Sequence, residues 1–283
     1  MVTPFNSDMQ IDYDRASSLA AYLVENGTES IVVAGTTGES PTLTMEEKIK
    51  LFGVVVEAVS GKAKVIAGSG SNSTQQSVEL TRKAADIGVD GVMLVVPYYN
   101  KPPQEGLYEH FRKIAGSVDL PVMLYNVPGR TSVNLAAQTT IRLAEIDNIF
   151  AIKEASGDLE QISYIIKETP DDFLVYSGDD SMTLPIMSVG GYGVVSVAGH
   201  VIGKEIREMI DAFCRGNIAE AYALHGKLFP VFKGMFISTN PIPVKTALNL
   251  LNKNVGSVRL PLCEMSSEQV NNLQSILGKA GLL

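Results

Sequence analysis

The stretch 149–156, Ile-Phe-Ala-Ile-Lys-Glu-Ala-Ser, ends an apolar run with a lysine. If the run is a β-strand, its period of two puts Ile149, Ala151 and Lys153 on one face and Phe150, Ile152 and Glu154 on the other. One face then reads as an interior whose last residue is an amine. A lysine with its ordinary pKa of about 10.4 is only about one part in a thousand neutral near pH 7.4. A nucleophilic lysine therefore needs desolvation or a cationic neighbour. Lowering that pKa by about three units costs roughly 4 kcal/mol, which only a packed scaffold sustains. The competing reading is a strand-end lysine whose ammonium snorkels into water.

Three further groups could share chemistry with that amine. Tyr125 lies on the same strand face as Met123 and Pro121, which directs its phenol inward. A phenol there can pass a proton to or from an amine or hydroxyl; a core tyrosine with a satisfied hydroxyl is the plainer alternative. In Gly-Thr-Thr-Gly at 35–38, two glycines free the backbone beside two hydroxyls, a nest suited to a carboxylate or, more simply, an ordinary turn. Arg130 follows a Pro-Gly turn, where its planar guanidinium could hold a carboxylate through two parallel hydrogen bonds or stand solvated.

The elements that must position these groups alternate. Met1–Phe5 reads as the tail of a strand, followed by an amphipathic helix near 12–26 and a strand at 30–35. Thr44 and Glu47 fit a capping box that opens a helix to about Ser60. Strands follow at 64–68, 91–96, 121–125, 149–153, 173–177 and 193–197, separated by helix-length periodic segments. Counting the fragment at the start, the pattern gives about eight β units, which predicts closure into a (β/α)8 barrel over an open doubly wound sheet. No GxGxxG follows the first strand and no GxxxxGK[ST] loop occurs, so nucleotide-binding variants lose support. Segments near 217–237, 242–252 and 266–280 read as helices. The expected organisation is thus a barrel over 1–215 and a helical appendix over 216–283. In a barrel, chemistry collects where strands end. Those ends are polar: GTTGES at 35–40, PYYN at 97–100, YNVPGRT at 125–131, KE at 153–154, SGDD at 177–180 and SVAG at 196–199.

Composition narrows the partners. The 283 residues are 45% hydrophobic and 19% charged, with 25 glycines, as in a globular enzyme-sized chain. A net charge of −8 argues against nucleic acid or an anionic membrane as partner. The two cysteines, Cys214 and Cys263, make no disulfide framework and read as buried or incidental thiols in a reducing cytosol. His110, His200 and His225 have no ligand-like spacing, so no protein-held metal is expected. No secretory h-region or membrane-length apolar run occurs, so neither export nor a membrane span is expected.

GTTGES, PYYNKPPQEGLYEHF, YNVPGRT, IKEASGD, SGDD, GVVSV and NPIPVK, in this order and spacing, resemble the dihydrodipicolinate synthase family across essentially the whole chain. The resemblance implies a class I mechanism without a cofactor: Lys153 forms an imine with pyruvate, and the derived enamine adds to L-aspartate 4-semialdehyde. It implies that Tyr125, Thr36 and Tyr99 form a proton relay, with Tyr99 reaching into a neighbouring subunit's site. Thr37 would hold the pyruvate carboxylate and Arg130 that of the second substrate. Val195, through its carbonyl, and Gly178 would belong to the substrate site, and the assembly would be a homotetramer built from two tight dimers. A sister lyase acting on a sialic or keto-deoxy sugar acid, and a non-catalytic barrel that binds a keto acid, are the alternatives; Arg130 favours the synthase over the first, and the joint presence of Lys153, Tyr125 and Thr36 speaks against the second.

Two departures from the family pattern carry expectations. Relatives begin earlier, with an apolar strand leading into Val2-Thr-Pro4, so strand one is expected to be largely missing and the barrel edges along Ile31–Ala34 and Val194–Val197 unpaired. Ser40, Asn72 and Tyr98 match a lysine-binding feedback site at a dimer interface, but Gln76 stands where inhibited relatives have glutamate, and Met45 and Lys48 where they have histidines. Losing the counterion of a partly buried ammonium costs about 2 to 5 kcal/mol, so feedback by lysine is expected to be weak.

Overall fold

A computed structural model describes residues 1–283. In chain order the elements are α1 (Tyr13–Glu25), β1 (Ser30–Val33), α2 (Met45–Val59), β2 (Lys64–Gly68), α3 (Thr74–Ile87), β3 (Gly91–Val95), α4 (Gln104–Ala115), β4 (Val122–Asn126), α5 (Pro128–Thr131), α6 (Ala137–Ala144), β5 (Ile149–Glu154), α7 (Leu159–Glu168), β6 (Leu174–Ser177), α8 (Thr183–Ser188) and β7 (Gly193–Val194). Four helices close the chain: α9 (Gly199–Cys214), α10 (Ile218–Gly234), α11 (Ile242–Leu250) and α12 (Ser267–Lys279). This is an α/β fold, and the helices stop where the sequence stops offering periodic apolar positions. Caps fall where side chains can supply them. Thr44 and Glu47 form the predicted capping box, Ser266 and Gln269 a second one, and Asp158 caps α7. No helix is long and apolar enough to cross a membrane.

The chain packs as two compact units, one of Val65–Val195 and one of Met1–Lys64 with Ser196–Leu283. Within Val65–Val195 the strands from β2 to β7 pair in chain order, every pair parallel. Their near-continuous runs, such as Gly91–Val95 and Val122–Asn126, are what a parallel sheet covered on both faces requires. A register shift between Val122 and Met123 lets Ile149 and Ala151 oppose consecutive residues of β4, and from there Tyr125 pairs with Lys153 and Asn126 with Glu154. Lys153 in turn pairs with Tyr176, and Glu154 with Ser177.

The other unit corrects the eight-strand expectation. There are seven strands, and Val2–Pro4 is not one of them; its neighbourhood holds only an isolated antiparallel bridge between Phe5 and Ile11. The segment is nevertheless buried, and its polar groups find partners other than a ladder. Met1 N donates to the Val32 carbonyl at 2.7 Å, Val2 N to His200 Nε2 at 3.0 Å and Phe5 N to the Val255 carbonyl at 3.1 Å. Pro4 has no N–H to place, and its carbonyl accepts from Asp12 N at 3.0 Å. The expected unpaired edge at Ile31–Ala34 is therefore met at Val32. The strand read at 193–197 is shorter than expected, ending at Val194; two residues on, Ser196 Oγ accepts from Gly199 N at 2.7 Å. Both cysteines are exposed, so the buried reading fails for each.

Candidate active site

The register of β4, β5 and β6 sets Tyr125, Lys153 and Tyr176 side by side at the strand ends, and puts Asn126, Glu154 and Ser177 one residue further along. Lys153 is 8% exposed and Tyr125 5%, so the amine belongs to the interior and does not snorkel. Its Nζ lies 4.3 Å from the centroid of the Tyr125 ring, within reach of the electron-rich face. Gly178 shapes the same place by absence: a Cβ there would stand 2.7 Å from the Ala155 Cβ and 3.0 Å from Lys153 Cε. Its N–H donates to the Glu154 carbonyl at 2.7 Å, which ties the end of β6 to the end of β5. Val195 N donates to the Ser177 carbonyl at 2.8 Å, so Val195 extends β7 past Ser177.

Behind the lysine lies a polar network that sequence reasoning missed. Glu154 is 1% exposed and accepts from Asn126 Nδ2 at 3.2 and 3.1 Å, from Ser156 N at 2.8 Å and from Gln161 Nε2 at 3.3 Å. Burial raises its pKa, and these hydrogen bonds pull it back. Asn126 also donates to Asn134 Oδ1 at 2.8 Å and accepts from Leu135 N at 3.0 Å, which fixes the loop carrying α5 and Arg130. The available signal was Asn126 and Glu154 ending two otherwise apolar strands.

Arg130 sits exposed on the short helix α5. Tyr99 is 90% exposed with φ of 74°, and Asn100 N donates to the Tyr98 carbonyl across it at 2.9 Å. That is a strained γ-turn which holds the phenol out into solvent. Asn72 and Tyr98 come together, Asn72 Nδ2 donating to the Tyr98 carbonyl at 3.2 Å.

In the other unit, Thr36 and Thr37 occupy a tight turn after β1. Gly38 N and Ser40 N both donate to the Gly35 carbonyl, at 3.0 and 3.2 Å, and Glu39 N to that of Thr36 at 3.1 Å. Thr37 Oγ1 accepts from Asn240 Nδ2 at 2.9 Å, which leaves the hydroxyl proton free for another acceptor such as a carboxylate. Gly38 lets the turn sit close, since a Cβ would lie 3.1 Å from Ala34 Cα and from the Met1 carbonyl oxygen. Ser40 opens the 3₁₀ turn Ser40–Thr42. No cluster of three or more His, Cys, Asp or Glu side chains that could hold a metal ion occurs.

A profile of the dihydrodipicolinate synthetase family matches residues 1–280. The chain is 57% identical over 282 residues to the 4-hydroxy-tetrahydrodipicolinate synthase of Heliobacterium modesticaldum, covering all of this chain and 94% of that protein. It is 57% identical over 280 residues to the enzyme of the same name from Bacillus subtilis, covering 99% and 97%. Among solved structures, dihydrodipicolinate synthase from Cyanidioschyzon merolae with lysine bound superposes with a TM-score of 0.99 at 53% identity, covering 100% and 97%. The Bacillus anthracis dihydrodipicolinate synthase gives 0.96 at 55%, covering 98% and 95%.

Proposed function

The chain belongs to the dihydrodipicolinate synthetase family, and from that membership we propose that it condenses pyruvate with L-aspartate 4-semialdehyde in lysine and diaminopimelate biosynthesis. The observation that carries the reading is the buried Lys153 amine set over the Tyr125 ring at the end of β5. Full-length identity to enzymes named for this activity favours it over a sugar-acid lyase or a non-catalytic binder.

The residues divide the work as follows. The Lys153 amine adds to the pyruvate ketone and water leaves, forming an imine whose iminium form accepts electrons when a methyl proton departs. The enamine carbon attacks the semialdehyde carbonyl, and the substrate's own amine displaces Lys153 as the cyclic product forms. Tyr125, Thr36 and Tyr99 move the protons, and Thr37 donates its hydroxyl proton to the keto-acid carboxylate. Arg130 receives the carboxylate of the second substrate, and Gly178 and the Val195 carbonyl bound the reacting centre. No cofactor takes part, because the iminium is the electron sink.

The fold assigned to this reading is a barrel of the (β/α)8 type over 1–215, its first strand truncated so that seven strands are present, with the helical part 216–283 attached. The enzyme works in the cytoplasm as a homotetramer, a pair of dimers in which the strained, solvent-held Tyr99 enters a neighbour's site. Borohydride reduction with pyruvate, followed by mass spectrometry of the peptide containing Lys153, tests the reading. A pyruvate adduct on Lys153 and turnover with the semialdehyde are expected; an adduct on another lysine would overturn the assignment.

A further inference from the structure

One fully buried cation takes no part in the reaction above. Lys245 lies on α11 and is 2% exposed, and its partner Glu39, also 2% exposed, is the residue that follows the Thr36–Thr37–Gly38 turn. Lys245 Nζ donates to Glu39 Oε1 at 2.8 Å and to the Ser257 carbonyl at 2.5 Å. The other carboxylate oxygen accepts from Arg259 N at 2.9 Å, so both oxygens are held. Phe5 lies between the two cations, with Lys245 Nζ 4.1 Å and Arg259 Cζ 4.5 Å from its ring centroid. Glu39 itself sits at φ 56°, a left-handed conformation that a residue with a Cβ adopts only when its surroundings impose it. A buried ion pair is a poor way to gain stability, since an apolar pair of similar volume does as well or better. What it can do is fix a geometry, and the geometry here is that of the turn. Asn240, just ahead of the same helix, grips that turn a second time through Thr37 Oγ1.

We propose that Lys245 is a positioning residue: its ammonium pins the Glu39 carboxylate and thereby fixes the Thr36–Thr37–Gly38 turn on which the keto-acid carboxylate rests. The inference builds on the proposed function, because it takes Thr37 as the carboxylate's partner. The charge state of the pin changes close to neutrality. Burial pushes Lys245 down, the Glu39 charge and hydrogen bond pull it back, Arg259 lowers it again, and the result is about 8. The other charged or titratable groups around it are Arg259, Glu47, Tyr13 and Lys50, whose Nζ lies 4.0 Å from the Tyr13 ring centroid. Arg259 and Tyr13 are held above their ordinary values and Glu47 below its own, so the loss of charge just above neutral pH falls on Lys245.

The test measures the pyruvate concentration that half-saturates borohydride trapping on Lys153, alongside the maximal trapping. A shifted turn costs affinity for the carboxylate, and losing a hydrogen bond to a charged group weakens binding about 10- to 100-fold. In the wild type, half-saturation should rise about tenfold from pH 7 to pH 9.5 with maximal trapping kept. Lys245→Met should raise it about 10- to 100-fold at pH 7 and remove the pH dependence. Glu39→Gln should remove the pH dependence as well, and it decides the matter if Lys245→Met does not fold. A folded Lys245→Met enzyme with wild-type half-saturation, or a Glu39→Gln enzyme that keeps the wild-type pH profile, would overturn the proposal. Failure of the wild type to trap pyruvate at any pH would instead remove the proposed reaction. Hydrogen exchange at pH 7 then judges the pin alone: the amides of residues 38–40 should exchange about tenfold faster in either variant, and unchanged exchange would refute it.

Discussion

Lys153 and Tyr125 are partners in the parallel register of β5 and β4, and the lysine Nζ lies 4.3 Å from the centre of the tyrosine ring. The ring therefore orients the amine and its hydroxyl is a separate asset. Lys153→Ala should abolish both adduct formation and turnover while the fold survives, since the site is at a strand end. Tyr125→Phe keeps the ring face and removes the proton donor. It should still trap pyruvate while kcat falls about 10²- to 10⁴-fold. Equal loss of trapping and kcat in Tyr125→Phe would show that the hydroxyl acts before the imine forms.

Gly178 is predicted to tolerate no methyl group. An added Cβ would press on Ala155 Cβ at 2.7 Å, which only a backbone shift relieves, and on Lys153 Cε at 3.0 Å, whose stem can swing away. Gly178→Ala should therefore move the amine, at a stability cost of about 1 to 3 kcal/mol and with a far larger loss in turnover. Thermal unfolding and steady-state rates measured together check it; wild-type kcat would mean the amine relaxes freely.

Arg130 lies exposed on α5, on a loop fixed by the Asn126–Asn134 bond, so its removal should leave Lys153 undisturbed. Arg130→Ala is expected to trap pyruvate with wild-type half-saturation and to lose most of its kcat/KM for the semialdehyde, by about 2 to 5 kcal/mol of transition-state binding. Equal damage to both steps would assign the arginine to neither substrate in particular.

Much of this was legible in the sequence because it follows from period and polarity. β4, β5 and β6 end where apolar runs meet Asn126, Glu154 and Ser177, β3 ends two residues before Pro97, and the capping box at Thr44 is written in residue types. What was hidden depends on long-range pairing. Nothing local says that Val2 donates to a histidine 198 residues away, or that Glu39 is neutralised by Lys245 across 206 residues. At the start of the chain the truncation of strand one is legible but its substitutes are not: side-chain and loop acceptors at His200, Val32 and Val255 take the place of a ladder. Glu154 is legible as a strand-end carboxylate opposite the Lys153 face but its partners are not, because Asn126, Asn134 and Gln161 converge only once the loop after β4 folds back.

Inhibition by lysine should be weak. In the lysine site that the resemblance implies, Asn72 and Tyr98 are in contact, yet Gln76 offers no charge to a ligand's ammonium. Titration of initial rates should show little effect at submillimolar lysine. Half-inhibition below about 1 mM, a binding energy beyond about 4 kcal/mol, would show that uncharged contacts suffice.

Acid should destabilise the protein through His200 before its carboxylates are protonated. The ring is buried: Nδ1 meets the Val197 carbonyl at 2.8 Å, so it carries the proton, and Nε2 accepts from Val2 N at 3.0 Å. A second proton would have to enter at Nε2, against a backbone N–H that already points there. Burial, followed by the nearby amino group of Met1, pushes the pKa down to about 3. The unfolded ring titrates near its ordinary value of about 6.5. Above that pH neither state carries the extra proton and the group is silent. As pH falls through about 6.5 the unfolded chain gains a proton the native ring refuses, so stability drops steadily until about pH 3. At about 1.36 kcal/mol per pH unit, the loss between pH 6.5 and 4.5 is roughly 2 to 3 kcal/mol from this residue. His110, lowered to about 4 by burial, adds to the same slope. His200→Gln keeps an acceptor for Val2 N without a titratable ring, so its urea-unfolding free energy should fall less steeply over that range. An identical slope in wild type and His200→Gln would mean that the buried ring accepts its second proton as readily as an exposed one, and that the contact with Val2 yields on protonation.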